Sequence, residues 1–177
     1  MPPACVSVET VLDFELRNRE HFRPWSPALS DDVFTVAATR AMLVAKQNAM
    51  DAGTELRWWF SLRDMPERII GSISFSNIVY GAFLSCHCGY KTDVAMQGMG
   101  YCSEALAKGI HIMFGSIGLH RIEANIIPRN TASVQVVRKL GFVNEGHSPM
   151  YLRIDGRWQG HDHYVLLNTA LHQPTDG

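Results

Sequence analysis

The chain is poor in cysteine. Its four cysteines, Cys5, Cys86, Cys88 and Cys102, form neither a CxxC pair nor a zinc spacing, which argues against a zinc module or a dithiol redox centre. Cys86 and Cys88 stand two residues apart in a strand-like run, so both belong on one face. The opening "MPPACVSVET" has neither the basic nor the long apolar region of a signal peptide, and reduced thiols in a cytoplasmic protein are expected. No apolar run reaches the roughly 18 residues of a membrane span. The formal net charge of −1 gives no global pull toward nucleic acid or a membrane. Repeats, low-complexity tracts and linkers are also missing. With 46% apolar and 19% charged residues in 177, the composition is that of one ordinary globular domain spanning 1–177.

Periodicity then sets out the elements. Val11, Leu12, Phe14, Leu16 and Phe22 suit an amphipathic helix over 9–23. The prolines of "RPWSPALS" break it, and Ser30 or Asp31 is expected to cap a second helix over 32–50. Strands are expected at 56–64 and 68–78, joined through "DMPE", and at 80–93. Cys102, Leu106, Ile110, Met113 and Ile117 recur at helical spacing, and Gly118 is the expected stop. A strand over 120–127 and a helix near 130–140, ended by Gly141, follow. The segment 142–168 reads as strands around an "IDGRW" hairpin turn, and the tail "HQPTDG" is expected to fray.

The stretch "QGMGYCSEA" (97–105) sets two glycines at the start of the long helix. A P-loop would need GxxxxGK before Ser or Thr, and that is missing. A dinucleotide fingerprint fits in part: Gly98 and Gly100 match, Ser103 takes the third glycine's place, and Glu123 follows at the distance of a ribose-binding acid. A third reading is a pyrophosphate held by the backbone N–H groups of 97–102 at the helix N-terminus. A turn with no ligand also fits. The loop alone leaves these open.

The following segment, "NIIPRNTASVQVVRKLGFVNEG" (125–146), places Asn130 three residues before Ser133 and closes a helix with "KLGF". Here the chain resembles the GNAT acetyltransferases. The form "QGMGY" resembles their RimJ/RimL-like branch, the ribosomal-protein-alanine N-acetyltransferases, and the RimJ type most of all. The likeness extends through "NREHFRPWSP", "IIGSISFSNIVYGAF", "LHRIEANIIPRN" and "YLRIDGRW", from about 18 to 168. It implies a GNAT fold, an α/β arrangement with a mixed, mostly antiparallel sheet and helices on both faces. It also implies acetyl-CoA as cosubstrate, no metal, and an amine acceptor, with the N-terminus of a ribosomal protein leading.

By the same resemblance, Gln97, Gly98, Met99, Gly100, Tyr101 and Cys102 would hold the pyrophosphate. Tyr90, Lys91 and Thr92 would run beside the pantetheine where the sheet splays, and Asn130 would contact the cofactor while also suiting a helix N-cap. Ser133 matches the serine on the thiolate side. Glu123 is the candidate base, or else a strand carboxylate pointing away. Phe22 and Trp25 would wall the acceptor cleft, or form a small core under their loop. Met150 stands where relatives can carry an acid, which makes a water chain an alternative base and leaves room for a non-catalytic CoA-binding module. With no cysteine in a nucleophile motif, direct transfer in a ternary complex is expected.

Other residues are less telling. His161 and His163 share a strand face but lack further metal ligands, so an edge or pocket-lining role is expected. His87 suits a buried, hydrogen-bonded position or an approach to substrate. Trp58 and Trp59 suit strand core and surface in turn. The family's usual first strand would be confined to about 4–8, which leaves a sheet edge for a homodimer to cover. A small-molecule amine acetyltransferase, for an antibiotic or a polyamine, and a dinucleotide-dependent oxidoreductase are the alternative functions.

Overall fold

The computed structural model describes residues 1–171; the tail expected to fray lies outside the described residues. Six strands form one sheet in the order β1-β2-β3-β4-β6-β5: β1 (Leu56–Leu62), β2 (Met65–Val79), β3 (Ser85–Thr92), β4 (Arg121–Ile126), β5 (Val143–Ile154) and β6 (Arg157–Leu167). All neighbours are antiparallel except β3 and β4. This is the mixed, mostly antiparallel sheet expected of the GNAT fold.

Helices α1 (Val8–Arg17), the short α2 (Arg19–Phe22) and α3 (Val36–Asp51) are followed in the chain by α4 (Tyr101–Gly115) and α5 (Thr131–Lys139). Val11, Phe14, Phe22, Leu43, Trp59 and Ile69 pack together as one core. Leu106, Ile110 and Met113 of α4 and Val134 and Val137 of α5 join Ile73, Phe75, Cys86, Ile122 and Ala124 in another. Alternate residues along β4 (Ile122, Ala124, Ile126) are the buried ones, as a strand's period of two requires. Gly109 sets how closely α4 lies on the sheet: a Cβ there would come 2.6 Å from the Phe75 ring, so any side chain would push the helix away.

Local chemistry explains the element ends. Ser7 caps α1 by accepting the Thr10 N–H, and Asn18 ends it, donating Nδ2–H to the Phe14 carbonyl at 2.9 Å. The cap expected at Ser30 or Asp31 is instead Thr35, whose hydroxyl accepts the Ala38 N–H at 3.2 Å. Residues Asp31–Val33 make only a 3-10 turn, and the Asp31 carboxylate is taken by Arg19. The β1–β2 turn is tighter than "DMPE": Leu62 pairs with Met65 and Ser61 with Ile69. Residues 66–68 bulge out between those pairs, so the missing N–H of Pro66 costs no ladder bond. Trp58 and Trp59 are both packed, because helices flank both faces. Trp59 is buried, and Trp58 lies edge-on to Phe75 with ring centroids 6.3 Å apart.

No strand forms at 4–8. Pro2 and Pro3 lack donors and fix φ, and Pro3–Cys5 is a 3-10 turn. Met1 hydrogen-bonds the β1 edge: its ammonium donates to the Trp59 carbonyl at 2.8 Å, and the Trp59 N–H donates to Met1 O at 2.9 Å. Among the described residues no helix is long and apolar enough to cross a membrane.

Candidate active site

β3 and β4 pair only through Ser85–Arg121, Cys86–Ile122 and His87–Glu123. Beyond His87 they part, and the β3 edge from Cys88 onward keeps backbone groups that no strand satisfies on that side. The gap opens into a cleft of about 830 Å³, within the usual range for a small-molecule site.

The glycine loop forms one wall, and its stem is anchored by buried polar groups. Asp93, 1% exposed, accepts from Arg17 Nε at 2.8 Å, from the Ala95 N–H at 3.0 Å and from Arg68 at 3.3 Å. Burial alone would raise its carboxyl pKa, but these hydrogen bonds outweigh that and hold it below the usual value. Asn18 Oδ1 accepts the Val94 N–H at 2.9 Å, so the residue that ends α1 also fixes this loop. Gly98 and Gly100 take φ of +74° and +87°, the left-handed region that glycine enters freely. Gly100 is the N-cap of α4 and supplies no side-chain bond, which leaves the first N–H groups of a 15-residue helix without a capping side chain.

Most of the residues singled out in the sequence meet here. Tyr90, Lys91, Thr92, Gln97, Gly98, Gly100, Tyr101, Cys102, Asn130, Ser133, Phe22 and Trp25 all line the cleft. Gln97 also bonds His21 Nε2 at 2.8 Å. Asn130 caps α5, accepting the Ser133 N–H at 3.2 Å. The Ser133 hydroxyl donates to Tyr90 Oη at 2.7 Å, and the Tyr90 hydroxyl donates to the Ser133 carbonyl at 2.9 Å. Burial pushes the Tyr90 phenol pKa far up, so it stays protonated. The Lys91 ammonium turns away from the loop to Glu15 (2.9 Å) and over the Phe22 ring (4.8 Å), so this residue offers the cleft its backbone. Trp25 lies under the Arg129 guanidinium at 5.3 Å. Arg129 also donates to Gln159 Oε1 at 3.0 Å, and the Asp155 N–H donates to the Ser26 carbonyl at 3.1 Å. The Trp25 loop is thus tied to the β5–β6 hairpin.

Two of those residues stay outside the lining. Met99 is exposed. Glu123 binds Arg121 Nε through Oε1 at 2.7 Å, and its Oε2 is 3.7 Å from His87. His87 is accordingly half-exposed and bonded to Asn77 at 3.2 Å, neither buried nor in the cleft. Met150 is 71% exposed with a φ of +50°. It sits in the break of register between Ser148 and Leu152 that returns Tyr151 to the neighbourhood of His161 and His163, with centroids 5.4 and 4.9 Å away.

Sequence reasoning passed over His21, Arg57, Ser72, Ser74 and Arg129, which also line the cleft. His21 and Arg129 lie within the segments that carry the resemblance, while the serines and Arg57 come in through sheet register. His161, on the interior strand β6 rather than at an edge, lines the cleft as well. Among the described residues no group of His, Cys, Asp or Glu is placed to hold a metal ion.

The charged lining residues are Arg57, Lys91, Arg129 and Lys139, with no Asp or Glu among them. Together with the uncapped α4 N-terminus, this donor set suits a polyanion with an extended arm, and coenzyme A is such a molecule. The dinucleotide reading fails on the same geometry. Ser103 is buried, and Glu123 is spent on Arg121 rather than presented to a ribose.

Comparison with known proteins agrees. Residues 8–143 match the family model described as an acetyltransferase (GNAT) domain. The chain is 36% identical over 163 residues to the [ribosomal protein uS5]-alanine N-acetyltransferase of Escherichia coli, covering 92% of this chain and 80% of that one. It is 32% identical over 168 residues to the probable N-acetyltransferase YjcK of Bacillus subtilis, covering 94% and 92%. The crystal structure of ribosomal-protein-S5-alanine acetyltransferase from Vibrio fischeri superposes with a TM-score of 0.90 at 32% identity, covering 98% of this chain and 93% of that one. The chain belongs to the GNAT family, close to its RimJ/RimL-like ribosomal-protein-alanine acetyltransferases, and is an acetyl-CoA-dependent N-acetyltransferase.

Proposed function

We propose that the acceptor is the N-terminal amine of a ribosomal protein in the cytoplasm, and that acetyl passes to it directly in a ternary complex. The observation that carries this is the cleft lining, which includes Arg129 and Lys139 and no carboxylate, while the charges of Lys91 and Arg57 are paired with Glu15 and Glu55. A polyamine or an aminoglycoside brings several positive charges and would meet like charge there. A peptide N-terminus brings one amine, which reacts neutral, on a chain that can be gripped through its backbone. Ser74, with the wall of Phe22 and Trp25, offers such a surface. The Escherichia coli and Vibrio fischeri relatives are named for this class of acceptor.

Direct transfer is supported by the thiols. Burial raises the pKa of Cys86 to about 12 and pushes those of Cys88 and Cys102 upward as well, and a cysteine nucleophile needs the opposite shift. The parts of the reaction fall to named groups. The N–H groups of 97–102 hold the pyrophosphate, with Asn130 beside them. The free edge of β3 at Tyr90–Thr92 aligns the pantetheine arm and gives the thioester carbonyl an N–H donor. Ser133 supplies the proton to the departing sulfur, its hydroxyl turning from Tyr90 Oη as the thiolate forms. Glu123, held by Arg121 away from the cleft, leaves the amine proton to another acceptor.

Steady-state kinetics with acetyl-CoA should compare peptides bearing a free N-terminal Ala or Ser with spermidine and an aminoglycoside. The peptides are expected to give a kcat/KM at least tenfold higher. Turnover of the small amines alone would refute the ribosomal acceptor and favour the small-molecule reading.

A further inference from the structure

His161 is 3% exposed, yet it lines the cleft beside Ile126 and Ile127, where β4 has parted from β3. Its Nδ1 lies 3.0 Å from the Gln159 carbonyl oxygen. A carbonyl can only accept, so Nδ1 carries the proton and Nε2 keeps a lone pair. Nε2 has no hydrogen-bond partner among the described residues, while the polar side chains beside it on β4 and β6 are paired. His163 bonds Asn125 Oδ1 at 2.6 Å and Ser148 Oγ at 2.7 Å. The Tyr151 hydroxyl accepts from Asn125 Nδ2 at 3.3 Å, and Asp162 pairs with His147 at 2.8 Å.

We propose that Nε2 of His161 is the acceptor for the proton of the attacking amine. This rests on the acetyltransferase reading but not on the acceptor's identity. The amine nitrogen bonds to the acetyl carbon as one N–H bond breaks and its proton moves to Nε2. The C–S bond breaks and the sulfur leaves with the electron pair. Ser133 gives that sulfur a proton and is restored from solvent, to which His161 returns the proton it took. One proton therefore leaves the amine and one reaches the thiol.

The surroundings suit the task. The titratable or charged groups around the ring are His147 and Tyr151 from β5 and Asp162 and His163 from β6. Lys91 and Arg129 line the same cleft. Burial, with smaller contributions from His163 and His147, lowers the pKa of His161 below the ordinary histidine value, against the opposing effects of the Gln159 hydrogen bond and Asp162. The ring is therefore neutral, and able to accept, at physiological pH. Gln159 carries two duties, since its carbonyl sets the tautomer while its side chain holds Arg129.

The test compares wild type with His161→Gln across pH 5.5–9, using an alanyl peptide and benzylamine as acceptors, and measures CoA affinity by calorimetry. Nitrogen-detected NMR of the ligand-free wild type reads the tautomer independently of activity. The expected loss in kcat/KM is about 100-fold for both acceptors, with the acid limb reduced to the inflection of the amine's own deprotonation and CoA affinity within twofold. Nδ1 is expected to be the protonated nitrogen at pH 8. A variant within threefold of wild type with an unchanged acid limb overturns the proposal, and so does a proton on Nε2. Failure of the peptide alone, with benzylamine turned over, counts instead against the ribosomal acceptor. A wild type that acetylates neither amine overturns both readings.

Discussion

The Ser133 hydroxyl donates to Tyr90 Oη across 2.7 Å, and the Tyr90 phenol donates in turn to the Ser133 carbonyl at 2.9 Å. The pair joins α5 to β3 where that strand has lost contact with β4. It braces the gap proposed for the cosubstrate and places beside β3 the hydroxyl assigned to the departing sulfur.

Tyr90→Phe removes both bonds while keeping the ring. We expect a stability loss of about 1–2 kcal/mol, since Ser133 loses a partner in a partly buried setting, and a fall in kcat of about tenfold. Ser133→Ala should lower kcat by a similar or larger factor, and the double variant should cost less than the two effects added, because they share one interaction. Urea denaturation and steady-state kinetics on the three variants check this.

Gly100→Val places a β-branched residue at a φ of +87° on the loop proposed to hold the pyrophosphate. The strain is of order 1–3 kcal/mol, and the side chain obstructs backbone approach. Acetyl-CoA affinity is expected to drop at least tenfold by calorimetry. Gly98→Ala is the milder comparison, because a Cβ meets nothing within 4 Å at either glycine and an unbranched methyl adds little beyond backbone strain.

Asp93 should dominate the acid side of the stability curve. Its carboxyl pKa is lowered in the folded protein, so its contribution is present in full above the unfolded-state value. That contribution is lost as pH falls through the lower folded-state value. Asp93→Asn leaves Arg17 and Arg68 without their carboxylate and is expected to cost about 3–5 kcal/mol at pH 7. Its stability should then depend less steeply on pH below about 4 than the wild type's. Denaturant midpoints at pH 3 to 7 provide the measurement.

His161 acts in a different window. Its pKa is lowered on folding, so between the folded and unfolded values the unfolded chain binds more protons and stability rises with pH. Acidifying from about pH 6.5 should therefore lower the thermal midpoint. His161→Gln should flatten that slope, as calorimetric scans between pH 5 and 7.5 would show.

The parts legible in the sequence are those written locally. The glycines of "QGMG", the apolar spacing from Cys102 to Ile117, and Asn130 three residues before Ser133 each carry their conformation within a few residues. The structure brings most of them to one cleft. Register was not legible. Glu123 and His161 are both polar residues on strands, and which of them reaches the cleft depends on the parting of β3 from β4 and on the break in β5 between Ser148 and Leu152. The α3 cap falls at Thr35 because Asp31–Val33 form a separate 3-10 turn and the helix begins only at Val36. The absent first strand had a local signal in Pro2 and Pro3, outweighed by the likeness to longer relatives.

The central claim is transfer of acetyl from acetyl-CoA to the N-terminal amine of a ribosomal protein. Its most direct test incubates the protein with isotopically labelled acetyl-CoA and ribosomal proteins carrying free N-termini, then locates the label by tandem mass spectrometry. Label on the α-amine of an N-terminal residue is the expected result. Label confined to lysine side chains, or transfer only to added small amines, would contradict it.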